Sequence, residues 1–165
     1  MTKDKLLPLI ERVEQATGPD RELDCLIWIE VGSDLGFDDP PNMWALRRPV
    51  RPRICVMGMC LGSALEKYPE DVAGVARNWN VPHLSSSIDA AMTLVPEGWR
   101  LDRLQESWRT GRWNAVILKR ATPSQLARFD VGGQIVLADA KATGATPALA
   151  LLAACLRAHS ETSNG

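Results

Sequence analysis

The chain has 165 residues, of which 45% are hydrophobic and 24% charged, with nineteen basic residues against twenty acidic ones. A chain this long folds as one domain around its own core without needing disulfides or a metal, and a net charge of −1 excludes a polycation that coats duplex nucleic acid. No stretch is apolar for long enough to span a membrane, and the opening MTKDKLLPLI lacks the apolar core of a signal peptide, so a cytoplasmic protein is expected.

The opening predicts two helices. Leu6, Ile10 and Val13 share a stripe at helical spacing, with Leu9 beside them and Pro8 early in the helix, where it is tolerated. Gly18-Pro19 stops this helix. Asp20 then reads as an N-cap for a second helix, with Leu23, Leu26 and Ile27 on one face and Gly32 at its end. Residues 33–82 are expected to form an irregular insertion in a single domain. Asp34, Asp38 and Asp39 sit there in a proline-rich loop, without the glycine and distal glutamate of a calcium loop. RRPVRPR cannot form a regular element, because its prolines remove donors. DVAGVARNW predicts a short helix with Val72, Val75 and Ala76 on one side.

From Ser85 onward the pattern sharpens. SSSIDAAMTLVP offers serine caps and the face Ile88, Ala91, Met92 and Val95, closed by Pro96. Three strands are predicted next, at 99–104, 112–120 and 134–140, with SWRTG as the first turn. A final helix begins with Thr146 as N-cap and Pro147 at its first position. Leu149, Leu152, Ala153 and Leu156 form its buried stripe, and Arg157 and His159 lie in its last turn. Short connections favour an antiparallel meander, and the helices must cover it. The expected fold is therefore α+β, a layered helix–sheet–helix sandwich with an antiparallel sheet of three or more strands.

Three segments are similar to a known family. NWNVPHLSSSIDAAMTLVPEGWRLD resembles the middle of small phage and prophage proteins of the phage ABA sandwich type, where an SxDAA helix leads into a tryptophan-led strand. ATPALALLAACLRAH resembles their C-terminal helix, and ERVEQATGPDRELDCLIW resembles their start. The resemblance covers two fifths to a half of the chain and leaves residues 33–78 unmatched. It implies helix–sheet layering and a phage or prophage origin. It implies no reaction, since Ser87, Asp89, Ala90, Ala91, Trp99 and Pro147 read as caps and packing.

No catalytic constellation emerges. Asp89 complements a helix N-terminus, the serines lack a nucleophile-elbow setting, and His83 and His159 have no sequence partner. The glycines form no phosphate-binding loop. Cys25, Cys55, Cys60 and Cys155 lack zinc-ligand spacing and read as buried hydrophobes, so no cofactor or metal is called for.

Charge is uneven along the chain. Residues 1–46 carry −6, whereas residues 99–128 carry +5. In that basic stretch indole and guanidinium adjoin three times, at Trp99-Arg100, Trp108-Arg109 and Arg112-Trp113. Arginine pairs with phosphate and indole offers a stacking face. The expected site is thus an anion-binding rim of Arg100, Arg103, Arg109, Arg112 and Arg120 with Trp99, Trp108 and Trp113. Adjacent strand residues point to opposite faces, so a single pocket cannot hold every pair. The expected function is a non-enzymatic, phage-derived accessory protein that binds a small nucleotide-like ligand and counters host defence by sequestering it. The alternatives are a protein–protein module that inhibits a host protein and a nucleotide-processing enzyme. Self-association is compatible with each.

Overall fold

The computed structural model describes residues 3–31, 65–78, 80–121 and 135–162. The expectations for residues 32–64, including Asp34, Asp38, Asp39, Cys55 and Cys60, fall outside the described residues.

The chain begins with α1 (Lys3–Gln15) and α2 (Arg21–Val31). Leu6, Ile10 and Val13 are buried as their spacing predicts, and so are Leu23 and Ile27. Asp20 caps α2, its Oδ1 accepting from Leu23 N at 3.0 Å. A 3-10 turn (Pro69–Asp71) leads into α3 (Val72–Asn78), which buries Val75 and Ala76. The next helix, α4 (Ile88–Met92), is one residue longer than a single turn. Ser87 caps it, accepting from Ala90 N. Its buried side is Ala91, with Leu94 just beyond the helix, while Ile88 and Met92 are exposed. The predicted face was therefore too long, because the helix stops before Val95.

The sheet is a meander of β1 (Trp99–Glu106), β2 (Trp113–Arg120) and β3 (Val136–Gly144), antiparallel throughout. The chain then enters α5 (Pro147–Thr162), capped by Thr146, whose hydroxyl accepts from Leu149 N at 3.2 Å. The α+β class with a three-stranded antiparallel sheet is as the sequence predicts.

The strand register decides what each face carries. Arg100 lies opposite Leu118 and Leu101 opposite Ile117, but Val116 pairs with Arg103, so Asp102 is a bulged extra residue. The bulge returns Leu104 to the face of Leu101. That face holds Trp99, Leu101, Leu104, Ala115, Ile117, Ala140 and Ala142, and α5 packs on it. β3 contributes small residues there, which lets α5 approach closely. A Cβ on Gly144 would overlap the backbone nitrogen of Ala150 and stand 2.8 Å from the Leu149 carbonyl carbon.

Almost all of α5 is buried, because α1 and α4 cover the side that the sheet does not. Among the described residues the order is thus sheet, α5, then α1 and α4. Helices cover one face of the sheet among the described residues, and the strand residues of the other face are half-buried or exposed.

Candidate functional site

Pairs that face one another across the strands share a side of the sheet. On the side away from α5 these are Arg100–Leu118–Asp139, Arg103–Val116–Lys141 and Gln105–Asn114–Thr143. Arg120 lies opposite Val136 at the far end of this face. Its centre is apolar, with Val116 and Leu118 half-buried on the middle strand, and Val136 is exposed at the end beside Arg120. Charge surrounds this centre. Asp102 accepts an ion pair from Arg120 at 3.6 Å, and Asp139 pairs with Lys141 at 2.7 Å. Arg100 and Arg103 are exposed and make no ion pair or side-chain hydrogen bond among the described residues. With both acids paired, the face has an excess of positive charge at Arg100 and Arg103.

The expected rim residues therefore separate into three groups. Arg100, Arg103 and Arg120 share the open face. Trp108 and Arg109 occupy the β1–β2 turn, where the guanidinium stacks 4.9 Å from the indole centroid. Arg112 turns away from both and donates to the Glu14 carbonyl at the end of α1. The tryptophans divide likewise. Trp99 is 5% exposed within the core and Trp113 packs against that core, so neither offers a stacking face to a ligand. Trp108 is 86% exposed. Strand alternation and the two ends of the hairpin separate these residues, which adjacency in sequence had grouped.

A cavity of about 410 Å³ lies elsewhere, lined by Pro19, Ser85, Ser86, Ile88, Asp89, Thr146, Pro147 and Ala148. None of the expected rim residues lines it. It forms because the chain entries to α2, α4 and α5 meet there. The three caps Asp20, Ser87 and Thr146 were each legible in the sequence; their convergence was not. Ser85 ties two of these entries together, its Oγ accepting from Asp20 N at 2.9 Å and donating to Asp20 O at 3.2 Å. Its own backbone N–H donates to Asp24 Oδ1 at 2.7 Å. Asp24 is fully buried and also accepts from Arg21 Nη1 at 2.7 Å. Arg21 donates further to the carbonyls of Val81 and Pro82 at 2.9 Å each. This network fixes the loop before α4; its carboxylate is fully committed.

The remaining reactive groups are also occupied by the fold. His159 Nε2 lies 2.8 Å from the Leu94 carbonyl in the core. Burial pushes the Cys25 thiol up to about 11 and the Cys155 thiol up to about 12. Both sulfurs are therefore protonated at neutral pH and poor nucleophiles. Among the described residues, no three His, Cys, Asp or Glu side chains gather as a metal site would need. No helix is long and apolar enough to cross a membrane among them. No family model, curated protein or solved structure matches this chain.

Proposed function

We propose that this chain is a non-enzymatic binding protein that docks an acidic protein partner across the open face of its sheet, and that it is a phage- or prophage-derived accessory protein acting on a host component. The observation that carries the docking reading is the make-up of that face. An apolar centre of Val116 and Leu118 is flanked by Arg100 and Arg103, which have no partner among the described residues. An apolar centre with a charged margin is the anatomy of a protein interface, and arginine is a frequent anchor in such interfaces. A small nucleotide would need convergent groups in a concave pocket, and the described cavity is lined by none of these arginines. The phage origin rests on the resemblance of the opening, SxDAA and C-terminal segments alone.

The test compares wild type with the Arg100→Glu/Arg103→Glu variant. A protein retained from a bacterial lysate is identified, purified and titrated against both. The double charge reversal should weaken binding by at least about tenfold, and added salt should weaken wild-type binding toward the variant. Equal affinity of both forms rejects the reading. Melting measured with cyclic and linear nucleotides separates the other class: a rise at saturating nucleotide favours sequestration of a small ligand.

A further inference from the structure

The β1–β2 turn is a rigid projection that carries an anchor the fold does not use. Its backbone is closed on itself: Ser107 N donates to Arg112 O at 2.8 Å, and Ser107 O accepts from Thr110 N at 3.2 Å and Gly111 N at 2.8 Å. Gly111 takes φ +64°, the left-handed conformation that lets the loop rejoin β2. Thr110 Oγ1 accepts from Arg112 N at 3.3 Å. The base is held from the side by the Arg112 guanidinium on the Glu14 carbonyl of α1. None of these contacts involves the side chains of Trp108 or Arg109. Those two touch each other instead, guanidinium over indole.

The exposure of Trp108 is out of line with the rest of the molecule. At 86% it far exceeds that of every other exposed large hydrophobic among the described residues, of which Val136 at 48% is the next. A large indole held in water on a pre-ordered turn has already lost most of the freedom that binding would otherwise remove. Tryptophan and arginine are also the side chains that most often dominate an interface. The guanidinium of Arg109, 4.9 Å from the ring centroid, places a positive charge beside the indole.

We infer that this turn is inserted as a finger into a partner protein, with Trp108 filling an apolar socket and Arg109 meeting a carboxylate at the socket's margin. The inference rests on the proposed protein-docking function and adds the residue that anchors it. A protein socket suits the geometry better than a single nucleic-acid strand. A strand is held by successive stacking platforms along a basic groove, and this tip offers one indole.

A displayed library of random peptides of about a dozen residues, selected on the full chain, tests this. Trp108→Ala and Arg109→Glu serve as comparison proteins, with Arg100→Glu/Arg103→Glu beside them. All of these side chains are exposed, so circular dichroism and melting should match wild type. Selected peptides should carry an apolar residue beside Asp or Glu, and should bind wild type at least about tenfold more tightly than either tip variant. Peptides that depend on Arg100 and Arg103 but bind Trp108→Ala unchanged would overturn the finger and leave face docking intact. Peptides that depend on Trp108 and not on the face arginines would uphold the finger and reject the face. No acidic–apolar enrichment would overturn the finger, as would Trp108-dependent binding of oligothymidylate, or Trp108-dependent dimerisation, in place of peptide binding.

Discussion

Arg157 joins three elements at one point: its Nη2 donates to both carboxylate oxygens of Glu14, at 2.9 and 3.0 Å, and its Nη1 donates to the Lys141 carbonyl at 2.9 Å. α5, α1 and the outer strand β3 thus share one guanidinium. An edge strand presents unpaired carbonyls, and a side chain that occupies one of them both satisfies it and blocks its use by another chain. The sequence predicts Arg157 in the last turn of α5, beside the dipole's negative end. The helix runs on to Thr162, so Arg157 lies a turn earlier and is held by Glu14 and Lys141 instead. Its partners lie 143 and 16 residues away, beyond the reach of any local pattern.

Arg157→Ala should lower the stability by about 1 kcal/mol, a modest figure because the pair is partly exposed and screened. Glu14→Gln should cost less, since the amide can still accept one hydrogen bond. A double-mutant cycle by urea unfolding should return a coupling of roughly 0.5 kcal/mol. Additive losses would mean that Arg157 acts through Lys141 alone.

Gly144→Ala should be destabilising by roughly 1–3 kcal/mol, because the added methyl overlaps the backbone of α5 rather than a side chain that could rotate away. Alanines at 138, 140 and 142 line the same contact, so the helix cannot retreat without opening the core. Unfolding midpoints of wild type and variant measure this. An unchanged midpoint would show that α5 can shift at that end.

Leu152→Asp should prevent stable folding. Leu152 is fully buried in α5 between the sheet and the outer helices, and an unpaired carboxylate there costs several kcal/mol. Soluble variant protein that melts cooperatively at the wild-type temperature would contradict this.

Much of the fold was legible because its signals are local. The stripe of Leu6, Ile10 and Val13, the caps at Asp20, Ser87 and Thr146, and the proline at the start of α5 each act within a turn or two of chain. The strands were placed to within a few residues, β1 and β3 both running further than predicted. The candidate site was less legible. Trp99 and Arg100 were expected on opposite faces of a strand, and the indole does enter the core while the guanidinium lies on the open face, but which indole stays exposed was not legible. The bulge at Asp102 gives no signal in WRLDRL, where Leu101 and Leu104 also fit a helical spacing.

The buried thiols predict a pH dependence with a definite sign. Cys155 is pushed from an ordinary value of 9.0 up to about 12, and Cys25 to about 11, chiefly by burial. Above pH 9 the unfolded chain loses these protons while the folded chain keeps them. The unfolded state then binds fewer protons, so stability falls as pH rises from about 9 toward 11 or 12, by up to about 1.4 kcal/mol per pH unit for each such thiol. Cys155→Ala should flatten the wild-type curve in that window and leave the shape below pH 8 unchanged. At pH 8, mass spectrometry after iodoacetamide treatment should find Cys25 and Cys155 unmodified in folded protein. Parallel alkaline curves for wild type and Cys155→Ala would show that this thiol does not contribute.

Asp24 is the buried charge on which the junction of α2 with the loop before α4 depends. It is fully buried, accepts from Arg21 Nη1 and Ser85 N at 2.7 Å each, and lies 61 residues from Ser85. Removing one member of such a set leaves the others buried without a partner, which costs more than the set contributes while intact. Asp24→Ala should therefore destabilise the protein by roughly 2–3 kcal/mol, through the unsatisfied Ser85 N–H and the lost counter-ion of Arg21, which keeps its bonds to the Val81 and Pro82 carbonyls. Asp24→Asn keeps an acceptor for Ser85 N and should cost less, while losing the charge opposite Arg21. Arg21→Met removes the cation and strands the carboxylate, together with the carbonyls of Val81 and Pro82, so it should rank near Asp24→Ala. Amide hydrogen exchange at Ser85 provides a local reading. In Asp24→Ala its protection should fall by more than that of Ile117 in the central strand, because the loop is released before the sheet opens. Equal loss of protection at both positions would place the effect in global unfolding and remove the loop-fixing role assigned to Asp24.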